Sequence, residues 1–368
     1  MTSSTKGKVA VALSGGVDSS VALGLLAEQG YEVIGVTMQL VDCQDSTGVK
    51  VCCGAEAIAA ARKVCRHLNV EHRVLDCRER FSKTILQAAW QEYEKGRTPS
   101  PCITCNSTIK FGFLLEEALS WDFDWVATGH HAQIEKDAEG QATLIKGEDS
   151  NKDQSYFLFA LSAHKLSHIL FPVGCMTKSQ VRQEARRMEL PTAERIESTD
   201  ACFQREGESF AESLMKRFKG KVTAGPFIGD DGNSLGRHRG LHNFTIGQRR
   251  GLGVDLGYRL WVKSIDPNGA VALTKEEQNL FAKKLIASDF TWTGKEDGWQ
   301  PQSPFSCTAK IRYRHEPAKA LVTILKDGRA EVSFDKEQRA ITPGQAVVFY
   351  DDTRVIGGGW IEGGTLGS

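Results

Sequence analysis

The chain has 368 residues, with 46 Lys plus Arg against 46 Asp plus Glu, and 40% of its residues are hydrophobic. One ordinary core holds ~100–200 residues, so two or three domains are expected. This composition excludes a disordered chain and a uniformly basic nucleic-acid binder, though not a local basic face.

Residues 8–13 (KVAVAL) read as a buried strand, and 18–29 as a helix with Val21, Ala22, Leu25 and Leu26 on one apolar stripe and Gly30 as its stop. Residues 31–37 form a second strand, 56–68 an Ala-rich helix and 70–76 a third strand. Residues 81–94 and 106–119 read as helices, and 123–128 as a strand ending at Gly129-His130-His131. This alternation predicts an α/β fold with a parallel sheet, helices on both faces and ligands beyond the carboxyl ends of the strands. After about residue 205 the pattern gives way to short glycine-rich alternating stretches, a β-rich central module. Past Gln278, SDFTWTG, FSCTAKIRYR, KALVTIL, AEVSFD and AVVFYD predict a small β-barrel or sandwich. No stretch approaches the ~18 apolar residues of a membrane helix, and the N-terminal run enters a glycine turn instead of a cleavage site, so neither membrane contact nor a signal peptide is expected. The ten cysteines then read as cytoplasmic thiols: core filler, metal ligands or reagents.

Ser14-Gly15-Gly16-Val17-Asp18-Ser19-Ser20 joins the first strand to the first helix. Its glycines permit a tight turn and close ligand approach, and the helix start favours an anion. It lacks the Lys of a Walker A loop and the third glycine of a dinucleotide fingerprint. The plain alternative is a glycine turn with a Ser or Asp cap.

Cys102-Ile103-Thr104-Cys105 follows Thr98-Pro99-Ser100-Pro101, which reads as extended and stiff. The pair suits a metal, a strained disulfide or an inert loop, and a helix from near Asn106 would favour thiolates. No second C-x-x-C occurs, so a closed four-cysteine zinc site has little support. Cys202 stands alone before Phe203, where a packed thiol is the ordinary reading. His130-His131 lacks a visible third metal ligand. Cys43, Cys52, Cys53, Cys65, Cys77, Cys175 and Cys307 read as core or incidental.

SGGVDSS resembles the pyrophosphate loop of the ATP pyrophosphatase class. With TPSPC-x-x-CN, TGHHA, GEDSNKDQSYFL, LFPVG, ESTDACF, HNFTIGQRRGLG, KIRYR and TPGQAVVFY in this order, nearly the whole chain is similar to the bacterial tRNA-specific 2-thiouridylase family. The resemblance implies an ATP pyrophosphatase domain at 1–206, a tRNA-binding central domain at 207–277 and a β-barrel at 278–368. The implied activity is ATP-dependent adenylation of the C2 oxygen of the wobble uridine of tRNA at position 34, then sulfur transfer.

By the same resemblance, Cys105 is the catalytic nucleophile and Cys202 carries a persulfide, the two closing a transient disulfide. Ala12, Leu13, Ser14, Gly15, Gly16, Val17, Asp18, Ser19, Met38 and Gly129 match ATP-binding positions, with Asp18 a magnesium partner. Ser100, Pro101 and Cys102 match the segment touching the target base. His130, Lys152, Asp153, Gln154, Arg312, Tyr313 and Gln345 match tRNA-contacting positions. The implied partners are tRNA and a sulfur donor such as a cysteine desulfurase or a persulfide relay protein, in the cytoplasm. Two departures stand out: many members have Asp where this chain has Cys102, and STGICF where it has Ser198-Thr199-Asp200-Ala201-Cys202-Phe203. With Cys102 present, Cys102, Cys105 and Cys202 match a three-cysteine [4Fe–4S] site with one open iron.

Between Leu214 and Leu260 the chain holds nine Lys or Arg against three Asp, a local excess suited to phosphates. Tyr313, read within an alternating strand, would stack on a splayed base or pack half-buried. The rivals are a synthetase of the same ATP class, which would need an ammonia source, and a non-catalytic RNA binder, which would not need the SGGVDSS loop.

Overall fold

The structure is a computed structural model and describes residues 6–42, 49–50, 54–196, 203–205, 207–220, 222–254, 256–293 and 299–365. Cys43, Cys52, Cys53 and Cys202 lie outside the described residues.

The first domain runs β1 (Lys8–Ala12), α1 (Val17–Glu28), β2 (Glu32–Gln39), α2 (Ala55–His67), β3 (Glu71–Asp76), α3 (78–94), α4 (101–120), β4 (Trp125–Ala127), β5 (Ala132–Lys136), β6 (Ala142–Lys146), β7 (Ile169–Leu170) and α5 (Lys178–Arg187). Its sheet has the order β3-β2-β1-β4-β7, with every pairing parallel. Side chains alternate along β1. Val9, Val11 and Leu13 pack with Val21 and Leu23 of α1 and Val181 of α5. Ala10 and Ala12 face the other way, into a cluster with Phe81, Leu86, Ile109 and Leu114. Burial on both faces explains why KVAVAL is apolar without polar alternation.

Helix α1 is buried on two sides, not along one stripe, because α5 packs on it. At Gly24 a Cβ would stand 2.5 Å from the Met188 sulfur, so the missing side chain admits this contact. Helix α4 begins at Pro101, five residues before the expected start near Asn106, and so contains both Cys102 and Cys105. Proline is pre-organised for the first helical position, where its missing N–H costs nothing. The extended stretch therefore ends at Ser100. Directly after Cys105 the helix widens into a π segment, Asn106–Phe113. Gly112 makes room for it, since a Cβ there would stand 3.0 Å from the Ser107 carbonyl oxygen. Lys165 Nζ donates to that same oxygen at 3.0 Å. Such π insertions concentrate at functional sites.

Helix α6 (Phe210–Phe218) starts on a capping box of Ser209 and Glu212. The central module follows as β8 (Gly225–Ile228), β9 (Ser234–His238), β10 (Trp261–Ile265) and β11 (Val271–Thr274), in the sheet order β9-β8-β11-β10 around Phe227, Phe244 and Leu260. The last six strands are β12 (Phe281–Trp292), β13 (Phe305–Lys310), β14 (Ala318–Ile324), β15 (Ala330–Arg339), β16 (Ala346–Asp351) and β17 (Arg354–Thr365). They pair in the order β12-β15-β14-β13-β16-β17, and β12 also pairs with β17, closing a barrel without free edges. The β5–β6 hairpin extends this sheet through Ile145 opposite Arg354. β13 stops at Lys310, so Arg312 and Tyr313 lie in a turn, not in the strand expected from KIRYR. Lys310 ends the run of residues paired with β16, and Pro317 then leads into β14.

Candidate active site

The loop after β1 wraps the start of α1. Gly15 has φ +75°, and a Cβ on it would stand 2.9 Å from the Ala57 carbonyl oxygen, so the turn requires glycine. At Gly129, beyond the end of β4, a Cβ would stand 2.5 Å from the Ser19 nitrogen and 2.6 Å from the Asp18 carbonyl carbon. Two strand ends thus press on one helix start. Gly16 is the N-cap of α1 and no side chain caps it, which removes the plain reading of a Ser- or Asp-capped turn. Ser19 and Ser20 instead donate to the Gly16 carbonyl at 3.2 and 2.8 Å. An uncapped helix start with its dipole is a ready anion site.

Asp18 sits at the centre of a charge cluster. Its Oδ1 accepts from Lys178 Nζ at 2.6 Å and lies 3.4 Å from His131 Nε2. Burial works to raise its pKa, but the hydrogen bond from His131 and the charge of Lys178 outweigh it and hold the carboxyl below its ordinary value. Among the described residues no group of three His, Cys, Asp or Glu forms a metal site. Asp18 offers magnesium one carboxylate, which fits the habit of that ion of binding through one or two carboxylates plus substrate phosphates.

A cavity of about 260 Å³ opens beside the loop, lined by Ser14, Asp18, Ser19, Gly129 and His130 on one side and by Pro101, Cys102 and Cys105 on another. Ala12, Leu13, Met38, Leu40, Phe81 and Ile85 give it an apolar floor. Cys105 is buried and Cys102 exposed. Their spacing on the first turn of α4 puts both on the face that lines the cavity. Burial pushes the thiols of Cys65 and Cys77 up to about 11 and about 12, so both stay protonated as packed thiols. Phe203, the residue after Cys202, is fully buried in the core cluster that contains Cys105. Cys102 and Cys105 both line this cavity, and Cys202 lies outside the described residues.

The other matched positions divide. Gln154 lines the cavity, and its Oε1 accepts from the His131 backbone N–H at 3.0 Å. His130 turns inward between Phe111 and Phe171, with Nδ1 2.6 Å from the Thr128 hydroxyl. Asp153 is buried and accepts from Gly147 N, Ser155 N and Ser155 Oγ at 2.9–3.0 Å, the pattern of a turn organiser. A groove of about 2000 Å³ continues from Ser14, Asp18 and Cys102 past Lys152 and Lys178 to Lys310, Tyr313 and Arg314 of the barrel. Tyr313 packs its ring on Phe157 with centroids 4.5 Å apart. Glu135, Glu148 and Glu316 also line the groove, so it is not uniformly basic. Arg312 and Gln345 do not line it: Arg312 donates to the Arg339 carbonyl at 3.4 Å, and Gln345 reaches the segment before Cys102. Sequence reading missed Lys110, which lines the cavity, and Lys178; only their lysine chemistry was visible, not their placement.

A parallel sheet with an uncapped, glycine-turned helix start beside two thiols defines a nucleotide-dependent α/β enzyme that uses sulfur chemistry. Family models match the chain in three consecutive pieces: a "tRNA methyl transferase HUP domain" over residues 7–206, a "tRNA methyl transferase PRC-barrel domain" over 212–273 and an "Aminomethyltransferase beta-barrel domain" over 282–361. The chain belongs to the tRNA-specific 2-thiouridylase family. It is 40% identical to the tRNA-specific 2-thiouridylase of Halothermothrix orenii over 96% of this chain and 99% of that one. It is 42% identical to that of Magnetococcus marinus (96% and 98% covered) and 43% identical to that of Clostridium kluyveri (96% and 99% covered).

Proposed function

We infer that the chain is a tRNA-uridine 2-sulfurtransferase: it uses ATP to adenylate the C2 oxygen of the wobble uridine at position 34 and replaces that oxygen with sulfur. The observation that carries this reading is that Cys105 shares one cavity with Ser14, Asp18 and Ser19 of the nucleotide loop. Membership of the family supports it.

The phosphates of ATP rest on the start of α1, and the base and ribose lie over Met38 and Gly129. The uracil enters beside Ser100, Pro101 and Cys102. Its C2 oxygen attacks the α-phosphorus, the bond to the β-phosphate breaks, and pyrophosphate leaves. AMP on O2 then makes a good leaving group. Cys202, charged with a persulfide by a desulfurase or relay protein, delivers its terminal sulfur to C2. Cys105 thiolate attacks the Cys202 sulfur, AMP departs with the O2 atom, and a Cys105–Cys202 disulfide remains for an external thiol to reduce. Magnesium, when bound, neutralises phosphate charge, with Asp18 as its protein ligand. Lys152, Gln154 and Tyr313 border the groove through which the anticodon arm would approach, while the exposed arginines of residues 207–277 would supply phosphate contacts. The cytoplasm, where tRNA and ATP are both present, is the expected location. Among the described residues no helix is long and apolar enough to cross a membrane.

A second reading rests on Cys102 lining the same cavity as Cys105: with Cys202 they would supply three thiolates to a [4Fe–4S] cluster. Mass analysis of tRNA after incubation with ATP, magnesium and a sulfide source tests the main reading. Replacement of one oxygen by sulfur at position 34, only with ATP present, is expected; sulfur incorporation without ATP would refute it.

A further inference from the structure

We propose that Lys165 is a positioning residue of the sulfur-transfer step: with Asn106 it pins the π turn of α4 that presents Cys105 in the cavity. The inference rests on the reading of Cys105 as nucleophile above, and adds to it a residue that does not line the cavity.

The turn needs a pin. It closes i→i+5, as the Leu114 N–H donating to the Ile109 carbonyl shows, and Phe111 inside it leaves helical geometry with φ −111° and ψ 18°. Such turns are rare. Here side chains occupy the carbonyls where the ladder changes register. Thr104 O accepts from the Thr108 and Ser107 hydroxyls at 2.7 and 3.2 Å. Ser107 O accepts from Lys165 Nζ at 3.0 Å, on the bare side of Gly112, where a Cβ would stand 3.9 Å from that Nζ. Side chains inserted into a helical ladder in this way bend it.

Lys165 is committed to this carbonyl. It sits half-buried in the one-turn helix Ala163–Leu166, and no carboxylate pairs with its ammonium among the described residues. A charged donor makes a stronger bond to the oxygen than a neutral one would. The same stretch of chain holds the other end of the turn. Asn106, the residue after Cys105, is 3% exposed, and its Nδ2 donates to the Phe157 carbonyl at 3.0 Å. Its Oδ1 is buried with no partner among the described residues. A half-satisfied buried amide costs stability, so stability alone does not account for Asn106.

What the turn achieves is an alignment. In an α-helix, residues five apart lie about 140° apart around the axis. A turn closed i→i+5 brings them toward one face, and Cys105 and Lys110 both line the cavity. The pins also tie this face to the groove. Phe157 packs its ring on Tyr313, and its N–H donates to the carbonyl of Gln154, which lines both cavity and groove. One segment thus holds the residues that border the incoming RNA and the helix that carries the nucleophile. Lys165 touches no reacting atom and transfers no proton. It keeps the Cys105 thiol in line for its attack on the persulfide, where a displacement of about 1 Å can cost about 100-fold in rate.

The test compares the full chain with Lys165→Met, Lys165→Arg and Gly112→Ala. Amide hydrogen exchange over residues 106–114 reads the turn. Single-turnover thiolation of tRNA, with ATP and a cysteine desulfurase supplied with cysteine, reads the function; ATP affinity and melting curves accompany both. Lys165→Met should exchange these amides at least about fivefold faster and transfer sulfur about tenfold more slowly, with ATP affinity within about twofold of the parent. Lys165→Arg keeps a charged donor and should recover most of both losses. Gly112→Ala places a Cβ 3.0 Å from the Ser107 oxygen and strains the same turn, so its rate loss should not add to that of Lys165→Met. Parental sulfur transfer in Lys165→Met would overturn the proposal, as would unchanged exchange or a rate loss matched by an equal loss of ATP affinity. A parent that incorporates no sulfur would refute the sulfurtransferase reading and this role together; failure of the pin alone shows as a parent and a Lys165→Met of equal activity.

Discussion

The Gln345 side-chain amide of the barrel donates to the Thr98 carbonyl at 3.0 Å, and to that of Pro99 at 3.2 Å, just before the helix that carries Cys102 and Cys105. The clamp has other parts. Thr98 N–H donates to the Pro343 carbonyl at 2.9 Å, and a Cβ on Gly344 would stand 2.8 Å from the Thr98 oxygen. From the central module, the Thr245 hydroxyl lies 3.1 Å from that of Thr98. All three domains therefore meet on the segment that aims the thiols. Gln345→Ala should lower kcat for thiolation about tenfold with KM for ATP unchanged, since each bond contributes ~0.5–1.5 kcal/mol of positioning. Steady-state kinetics in both substrates would check this; a shift confined to KM for tRNA would identify Gln345 as a tRNA contact instead.

Gly129→Ala should weaken nucleotide binding more than it harms folding. The added methyl meets the backbone of Asp18 and Ser19, which cannot swing aside as a side chain can. Overpacking of this kind costs ~1–3 kcal/mol. ATP affinity by calorimetry should drop at least about tenfold while the chain still melts cooperatively.

Cys102 separates the two sulfur schemes. With Cys105 and Cys202 alone as the sulfur relay, Cys102→Asp retains thiolation in air and the protein shows no visible absorbance. If three cysteines hold a cluster, the same change removes iron from anaerobically purified protein along with activity. Iron content and absorbance of parent and variant decide it.

Arg237, Arg239, Arg249, Arg250 and Arg259 are exposed on the central module, and none is in an ion pair among the described residues. The double change Arg249→Glu with Arg250→Glu should weaken tRNA binding and reduce its salt slope by about two, with ATP binding intact. Filter binding across a salt series measures both; an unchanged slope would exclude these arginines from the tRNA surface.

Burial, then the charges of Lys110 and His131, hold His130 well below its ordinary 6.5. Unfolded, the ring takes up a proton near its ordinary pKa; folded, it resists. Stability is therefore independent of this group above about pH 6.5 and falls as pH drops below it. His72, His238, His242 and His315 are lowered by burial in the same direction. The melting temperature should fall between about pH 7 and about pH 5.5, and His130→Gln should make that fall shallower. Calorimetric scans across this range test it.

Much of the fold was legible from local pattern. β1 showed its burial on both faces in KVAVAL, and the turn at Gly15 showed in the paired glycines, because each depends on neighbours a few residues away. The helix start at Pro101 was misplaced because proline favours both an extended segment before it and a first helical turn after it. Tyr313 was misread because KIRYR alternates like a strand beyond the point where pairing partners end.

By itself the sequence determined the three-part architecture and singled out the SGGVDSS loop and the C-x-x-C pair as candidates, since these depend on local conformation and residue chemistry. Only the tertiary structure decided which cation meets that loop and what holds the thiols in place. Lys178 reaches Asp18 across 160 residues, and Gln345 reaches Thr98 across 247. Such contacts arise from how helices pack on the sheet and how the barrel docks, which no periodicity along the chain encodes.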